Sequence, residues 1–345
     1  MNQRRKSHKK EPTAEESEAI DRRRKMAWVG IGLLFVIGAG LIVVPYLPDS
    51  DNTADAAVSK FQLKDIPFNG ERAYKYLKQL ADIGPRCSGS EGMTKQQKLI
   101  IDHFEKLGAK VEKQEFTAPD PRNGKQVPMT NIIVHWNPKS KKRILLCSHY
   151  DTLPYPMLDH KNPKGRFVGA NDGASSTALL MELGNEMKNV QCQYGVDFVF
   201  FDGEEYIFRQ WDSLFRGSEY FAKQYKNNPP GYQYVYAVLL DMIGDANLQI
   251  FYERHSMKWR DSRRLVHQIW DTARRLGVKE FIPRTKHLVY DDHLALHDIA
   301  GIPSCDVIDF DYPVWHTQGD TADKCSALSL AKVGWVIREW LKTAQ

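Results

Sequence analysis

Two adjacent glutamates, Glu204 and Glu205, follow an apolar run in the stretch VDFVFFDGEE. Like charges repel, and a carboxylate resists leaving water at the end of a buried strand. A bound cation removes that penalty. Consecutive residues at a strand end point in different directions. One glutamate can therefore ligate a metal while its neighbour moves protons, the ligand favouring a low pKa and the shuttle a raised one. Other stretches carry the same residue types. His149 and Asp151 close RILLCSHYD, Asp241 closes VYAVLLD, and Asp172 sits in GANDGASS. Asp291, Asp292 and His293 lie in YDDHLALHD, and Trp315 and His316 in DYPVWHTQGD. Singly, each has an ordinary reading. Asp172 can cap a helix, and Asp202 can accept from turn amides. His8, His103, His135, His160, His255, His267, His287 and His297 read as surface or core residues. Jointly, several carboxylates with histidine suit Zn²⁺ with an open coordination position, which is the catalytic arrangement.

Such residues converge only if the elements before them end at one edge. NIIVHW, RILLCSHY, VDFVFF and YAVLLDMI are short apolar runs of the kind buried on both faces of a sheet, and KVEKQEF alternates as a half-buried strand does. ERAYKYLKQLADIG reads as a helix ending near Gly84, and Ser90 caps a second through KQQKLIIDHFEKLG. Helical spacing recurs in Leu180, Leu183, Gly184 and Met187, in Val266, Ile269, Ala273 and Leu276, and in Leu330, Val333, Ile337 and Leu341. Strands alternating with helices predict an α/β domain with a mostly parallel, mixed central sheet covered on both faces. Ligands in such sheets bind beyond the C-terminal strand ends.

The chain has 345 residues, 42% hydrophobic and 26% charged, enough for a sizeable core. Its net charge of +5 is concentrated in residues 1–25, where nine Lys or Arg face five acids. No basic stripe runs through the main body, which argues against nucleic acid as a partner. Residues 27–47, AWVGIGLLFVIGAGLIVVPYL, are uncharged over a length that matches the hydrocarbon layer. We expect a basic cytoplasmic tail (1–25), a retained transmembrane anchor (26–47), a polar linker (48–60) and a single domain (61–345). A cleaved signal peptide is the competing reading, but the apolar run exceeds the usual signal core. Arg22 to Lys25 would hold the N-terminus in the cytoplasm and send the domain across the membrane. Five cysteines cannot all pair within one chain, and their spacing fits no zinc knuckle or redox motif. The lack of an Asn-X-Ser/Thr sequon favours a bacterial envelope over a eukaryotic secretory lumen.

As a set, SHYD, GANDGA, FFDGEE, GSEYFA, LLDMIG, DDHLAL, GIP and VWHT resemble a known superfamily, in its order from about residue 66 to 335. It groups zinc-dependent aminopeptidases with animal-type glutaminyl-peptide cyclotransferases. The resemblance implies that Asp172, Glu205 and His316 bind zinc and that Glu204 is the general acid/base. In the peptidases the residues matching His149 and Asp241 complete a second metal site, so His149 and Asp151 stand here as second-metal or supporting residues. One zinc is expected for a cyclase and two for a peptidase.

Three features lean toward the cyclase. The link YIFRQWDSLFRGS after the glutamates is long, with its Trp and DSL, as in the cyclases. Asp291 stands where the peptidases usually have Ser. In the cyclases the matching aspartate bonds the one matching Asp241, and two carboxylates can share a proton in this way. Trp315 directly precedes His316, and with Trp211 would wall the substrate pocket. The resemblance thus implies conversion of N-terminal glutamine to pyroglutamate on peptide or protein N-termini, with ammonia released. The alternatives are a two-zinc aminopeptidase and a non-catalytic zinc-binding ectodomain. Two departures stand out. Ser148 precedes His149, where secretory cyclases carry a disulfide cysteine, so no such bridge is expected. Asp306 stands near the position where the cyclases place a histidine on the strand after GIP.

Overall fold

The computed structural model describes residues 58–345. The tail, the expected anchor at 26–47 and most of the linker lie outside the described residues. Among the described residues no helix is long and apolar enough to cross a membrane. Arg209–Trp211 belong to a different compact unit from the rest and are described separately.

The first two helices are α1 (Gly70–Ile83) and α2 (Glu91–Lys106), and both start and stop where local chemistry dictates. Asn69 accepts from the Arg72 amide and Ser90 from the Met93 amide. Each cap is worth about 1 kcal/mol. Gly84, with φ of 91°, ends α1 as the sequence predicts. β1 (Lys110–Pro119) and β2 (Gln126–Trp136) then form an antiparallel hairpin. β3 (Lys142–His149), α3 (Ala174–Glu186), β4 (Gly195–Phe201), α4 (Arg216–Asn227) and β5 (Gln233–Asp241) supply the alternating α/β core. A small parallel pair follows, β6 (Ile250–Tyr252) and β7 (Phe281–Thr285), enclosing α5 (Arg254–Lys258) and α6 (Arg263–Leu276). α7 (Asp292–Asp298), β8 (Ser304–Ile308) and α8 (Ala327–Thr343) complete the chain.

The main sheet has six strands in the order β1-β2-β4-β3-β5-β8. β4, β3, β5 and β8 are parallel, whereas β1 and β2 run antiparallel at one edge. This is the mixed, mostly parallel sheet that the apolar runs predict. Alternation explains why those runs are continuous. Ile144 and Leu146 join a core with Leu77, Phe104, Leu180, Ile269 and Ile337, while Leu145 and Cys147 join another with Phe221 and Leu296. Both faces are dry, and each fully buried leucine contributes roughly 1.5–3 kcal/mol. α3 is buried all round from Ala174 to Gly184. A Cβ at Gly184 would come within 2.6 Å of the Phe104 ring, so glycine permits that close packing. All five cysteines are free thiols.

The β6–β7 pair was not legible as strands. Its segments are short, and burial in Phe281–Thr285 is confined to one end.

Candidate metal and catalytic site

The C-terminal ends of β3, β4 and β5 lie side by side, so their last residues meet at one edge. His149 ends β3 and Asp241 ends β5. Glu204 and Glu205 follow β4 by a tight turn through Gly203. Asp172 precedes α3, whose N-cap is Gly173 at φ of 83°. A Cβ at Gly173 would meet the Asp151 carbonyl oxygen at 2.7 Å and the His149 ring at 3.1 Å, so this turn requires glycine. Asp172 caps no helix. Its side chain faces His149 and His316 instead.

Asp172, Glu205 and His316 each offer one ligand atom, all within 4.8 Å of one another. His316 Nε2 lies 2.8 Å from Glu205 Oε1 and 3.5 Å from Asp172 Oδ2. That Asp172 oxygen is buried and has no hydrogen-bond partner. A buried carboxylate oxygen aimed at a histidine and a second carboxylate, and bonded to neither, is a donor that fits a cation. Oxygen and imidazole donors in this number suit zinc with an open position. Burial lowers His316 to about 4, keeping the ring in the neutral form a metal takes. Burial, then the Glu205 charge, raises Asp172 to about 7. Burial likewise raises Glu205 to about 8. A nearby positive charge would favour the ionised form of both.

His149 stands at the centre of a second group. Its Nε2 is 3.2 Å from both Asp172 Oδ1 and Asp241 Oδ1. Burial opposes its charge, but contacts with Asp151, Asp172 and Asp241 outweigh burial and raise its pKa well above the usual value. Glu204 is buried, with Oε2 4.0 Å from His149 Nδ1. Burial holds its carboxyl well above the ordinary range, as suits a proton carrier. Asp291 caps α7 by accepting the Asp292 amide at 2.6 Å. Burial, then the Asp241 charge, raises it well above the carboxylate range.

Supporting residues fix these side chains. Asp151 accepts the Glu204 and Glu205 amides, both at 3.0 Å, and so fixes the directions in which the paired glutamates diverge. Asp202 accepts from the Ser88 hydroxyl and the Thr130 amide, the turn role its position suggests. Sequence reasoning missed Asp320. Its carboxylate accepts the Asn171 and Asp172 amides and the Tyr312 hydroxyl, tying the Asp172 turn to the His316 loop. Its only signal was position, four residues after His316. His316 itself has φ of 57° and Met242, next to Asp241, has 47°. Such left-handed backbone in residues other than glycine costs about 1 kcal/mol or more and gathers at functional sites.

Trp315 packs on His316 with ring centroids 3.9 Å apart and on Phe310 at 4.9 Å. Trp211 is 75% exposed, with the Arg209 guanidinium 5.9 Å from its ring centroid.

A model of peptidase family M28 matches residues 131–341. A Fimbriiglobus ruber glutaminyl cyclase structure is 42% identical, with a TM-score of 0.77, over 83% of this chain and 98% of that one. A leucine aminopeptidase precursor from Bacteroides thetaiotaomicron is 30% identical, with a TM-score of 0.75, over 81% and 99%. A glutaminyl-peptide cyclotransferase of Gloydius blomhoffii is 29% identical over 288 residues, 72% of this chain and 75% of its own.

Proposed function

We propose, from the premise that this chain belongs to peptidase family M28, that it is a glutaminyl-peptide cyclotransferase. It closes N-terminal glutamine to pyroglutamate and releases ammonia. The enzyme is an acyltransferase built on a peptidase fold. The observation that carries the reading is the burial of Asp291 beside Asp241, with Asp241 the strongest charge acting on it. A carboxyl so placed can hydrogen-bond its neighbour. An Asp241 so engaged is a poor second-metal ligand and a good holder of an amide nitrogen.

Asp172, Glu205 and His316 would hold one zinc ion. When bound, the ion supplies a Lewis acid for the glutamine side-chain carbonyl and its developing negative charge. Glu204 takes a proton from the attacking α-amine and returns one to the departing ammonia. Asp241, supported by Asp291, orients the leaving amide nitrogen. Trp315 borders the pocket beside His316 and would help exclude water, which would otherwise deamidate the substrate. The amine and the amide belong to one residue, so orientation alone supplies much of the rate. Residues 27–47 would anchor the enzyme, with the catalytic domain outside the cytoplasm of a bacterial envelope.

A two-zinc aminopeptidase is the second reading. The observation favouring it is that His149, Asp172 and Asp241 also bring ligand atoms within 4.8 Å of one another. Zinc stoichiometry after chelation and reloading separates the two: one ion per chain supports the cyclase, two the peptidase.

A further inference from the structure

Arg86 follows Gly84, the C-cap of α1, by two residues and is fully buried. Its guanidinium holds main-chain carbonyls from two separate stretches of chain. Nη1 donates to Leu80 at 3.3 Å, to Gly84 at 2.9 Å and to Val168 at 2.7 Å, and Nη2 donates to Gly169 at 2.8 Å. Nε is buried without a hydrogen-bond partner. Among the described residues every hydrogen bond of the guanidinium goes to such a carbonyl and none to a carboxylate. A buried cation without a carboxylate in contact is costly to keep. Burial lowers its pKa to about 10, against the charge of Asp320 foremost, so the guanidinium stays charged at neutral pH.

The end of a helix explains only part of this. Gly84 donates its amide to Ala81 rather than to Leu80, which leaves the Leu80 carbonyl for Arg86. A cation is favourable at that terminus. The Val168 and Gly169 carbonyls belong to another segment, the one that leads into Asp172. Gly169 has φ of 56°, and a Cβ there would come within 2.5 Å of the Asp172 carbonyl oxygen. The carbonyls that Arg86 holds and the Asp172 backbone therefore share one tight turn. Asp320 holds the far end of that turn, accepting the Asn171 amide at 2.8 Å and the Asp172 amide at 3.1 Å. A cation on the carbonyls and an anion on the amides thus grip residues 168–172 from both ends. The cation's end is fixed to the core, because Leu77 and Leu80 of α1 are fully buried in the same cluster as Leu180 of α3.

We propose, on the reading of Asp172 as a zinc ligand, that Arg86 is a positioning residue for that ligand. It acts through the 168–172 turn and sets, with Asp320, where the Asp172 carboxylate stands relative to Glu205 and His316. It touches neither metal nor substrate and moves no proton.

Zinc affinity tests this directly. Full-length Arg86→Met keeps a long side chain but loses the donors and the charge. It should bind zinc about 10–100-fold more weakly, the usual cost of losing a residue that holds a metal ligand in place. The sign is informative. Asp172 and Glu205 both lie in the field of the guanidinium, and a positive charge repels Zn²⁺. A residue that acted through charge alone would, once neutralised, let zinc bind more tightly. Arg86→Lys keeps the charge but offers one ammonium to four carbonyls, and should fall between wild type and Arg86→Met. The visible absorption of the cobalt-substituted proteins follows ligand geometry and should shift in the same order. Thermal melts check folding. If Arg86→Met fails to fold, Arg86→Lys combined with Asp320→Asn decides. Two residues that grip one turn should give a loss of zinc affinity in the double variant smaller than the product of the single losses. Unchanged or tighter zinc binding with an unmoved cobalt spectrum would leave Arg86 a helix-end cap and overturn the proposal, as would independent losses in the double variant. A wild type that takes up no zinc would instead remove the ligand reading of Asp172, and the proposal with it.

Discussion

Asp197, on β4, and Asp172, in the turn before α3, are both buried aspartates at opposite ends of the strands, and their surroundings differ in one respect. Asp197, near the start of β4, receives the Arg143 guanidinium on both oxygens, at 2.8 and 2.5 Å. It also meets His135 Nδ1 at 2.8 Å and accepts the Tyr234 hydroxyl at 2.7 Å. Burial pushes its pKa up, but His135 and Arg143 outweigh burial and the net shift is downward. That end is electrically complete. At the other end Asp172, Glu204, Glu205, Asp241 and Asp291 crowd around two histidines, and burial drives Asp172, Glu204, Glu205 and Asp291 upward. The difference separates a cluster that closes on itself from one built to receive a cation. Buried charge by itself marks neither.

The largest effect should come from the open end. Glu204→Gln is expected to cut kcat by about 10²–10⁴-fold while zinc content stays at one ion per chain. Metal analysis beside an ammonia assay checks this, and retained turnover would remove Glu204 from its role. Chelation should abolish turnover yet leave far-ultraviolet circular dichroism native, because the buried charges of the Arg143–Asp197 end are paired by protein groups alone.

At the closed end the expected damage is to stability rather than rate. Arg143→Met strands Asp197 in the core and should cost about 3–5 kcal/mol in urea denaturation, with kcat of the folded fraction unchanged. Adding Asp197→Leu should restore most of that loss. A drop in kcat with unaltered stability would invert the comparison.

The two ends should also respond oppositely to pH. Asp172, at about 7, and Glu205, at about 8, are raised. In the metal-free protein their contribution is fully present below the unfolded carboxyl value of about 4. It is lost as pH rises toward 7–8. Zinc reverses that loss, so the gain in Tm on zinc loading should be larger at pH 8 than at pH 5. Asp197, lowered, contributes above its unfolded value and loses that contribution as pH falls through its folded value, with or without zinc. An equal zinc-induced gain at both pH values would contradict the assignment of Asp172 and Glu205 as ligands.

The smallest effects concern the aromatic border. Trp315→Ala should raise KM by roughly 3–10-fold, since an aromatic contact carries about 0.5–1.5 kcal/mol. Trp211→Ala, at a residue 75% exposed, should change KM by about twofold or less, the ordinary range for a surface substitution.

What the sequence disclosed follows the same division. Strand ends were legible because β3, β4 and β5 are apolar on both faces and stop abruptly at His149, Asp202 and Asp241. The paired glutamates stood out because no folding reason puts them together. The closed end was hidden: Arg143, Asp197 and His135 look like surface residues scattered along alternating strands, and only the registers of β2 with β4 and of β3 with β4 bring them together. Asp320 was hidden for a related reason: the backbone amides it accepts lie 149 and 148 positions away in the chain, which leaves no spacing to read.

The most direct test offers the zinc-loaded protein two peptides, one beginning with Gln and one with Leu, and reads the products by mass spectrometry. Loss of one ammonia from the Gln peptide, with the Leu peptide intact, is the result expected of a cyclotransferase with Asp241 paired to Asp291. Removal of a whole residue from the Leu peptide would contradict it and put a second metal at His149 and Asp241.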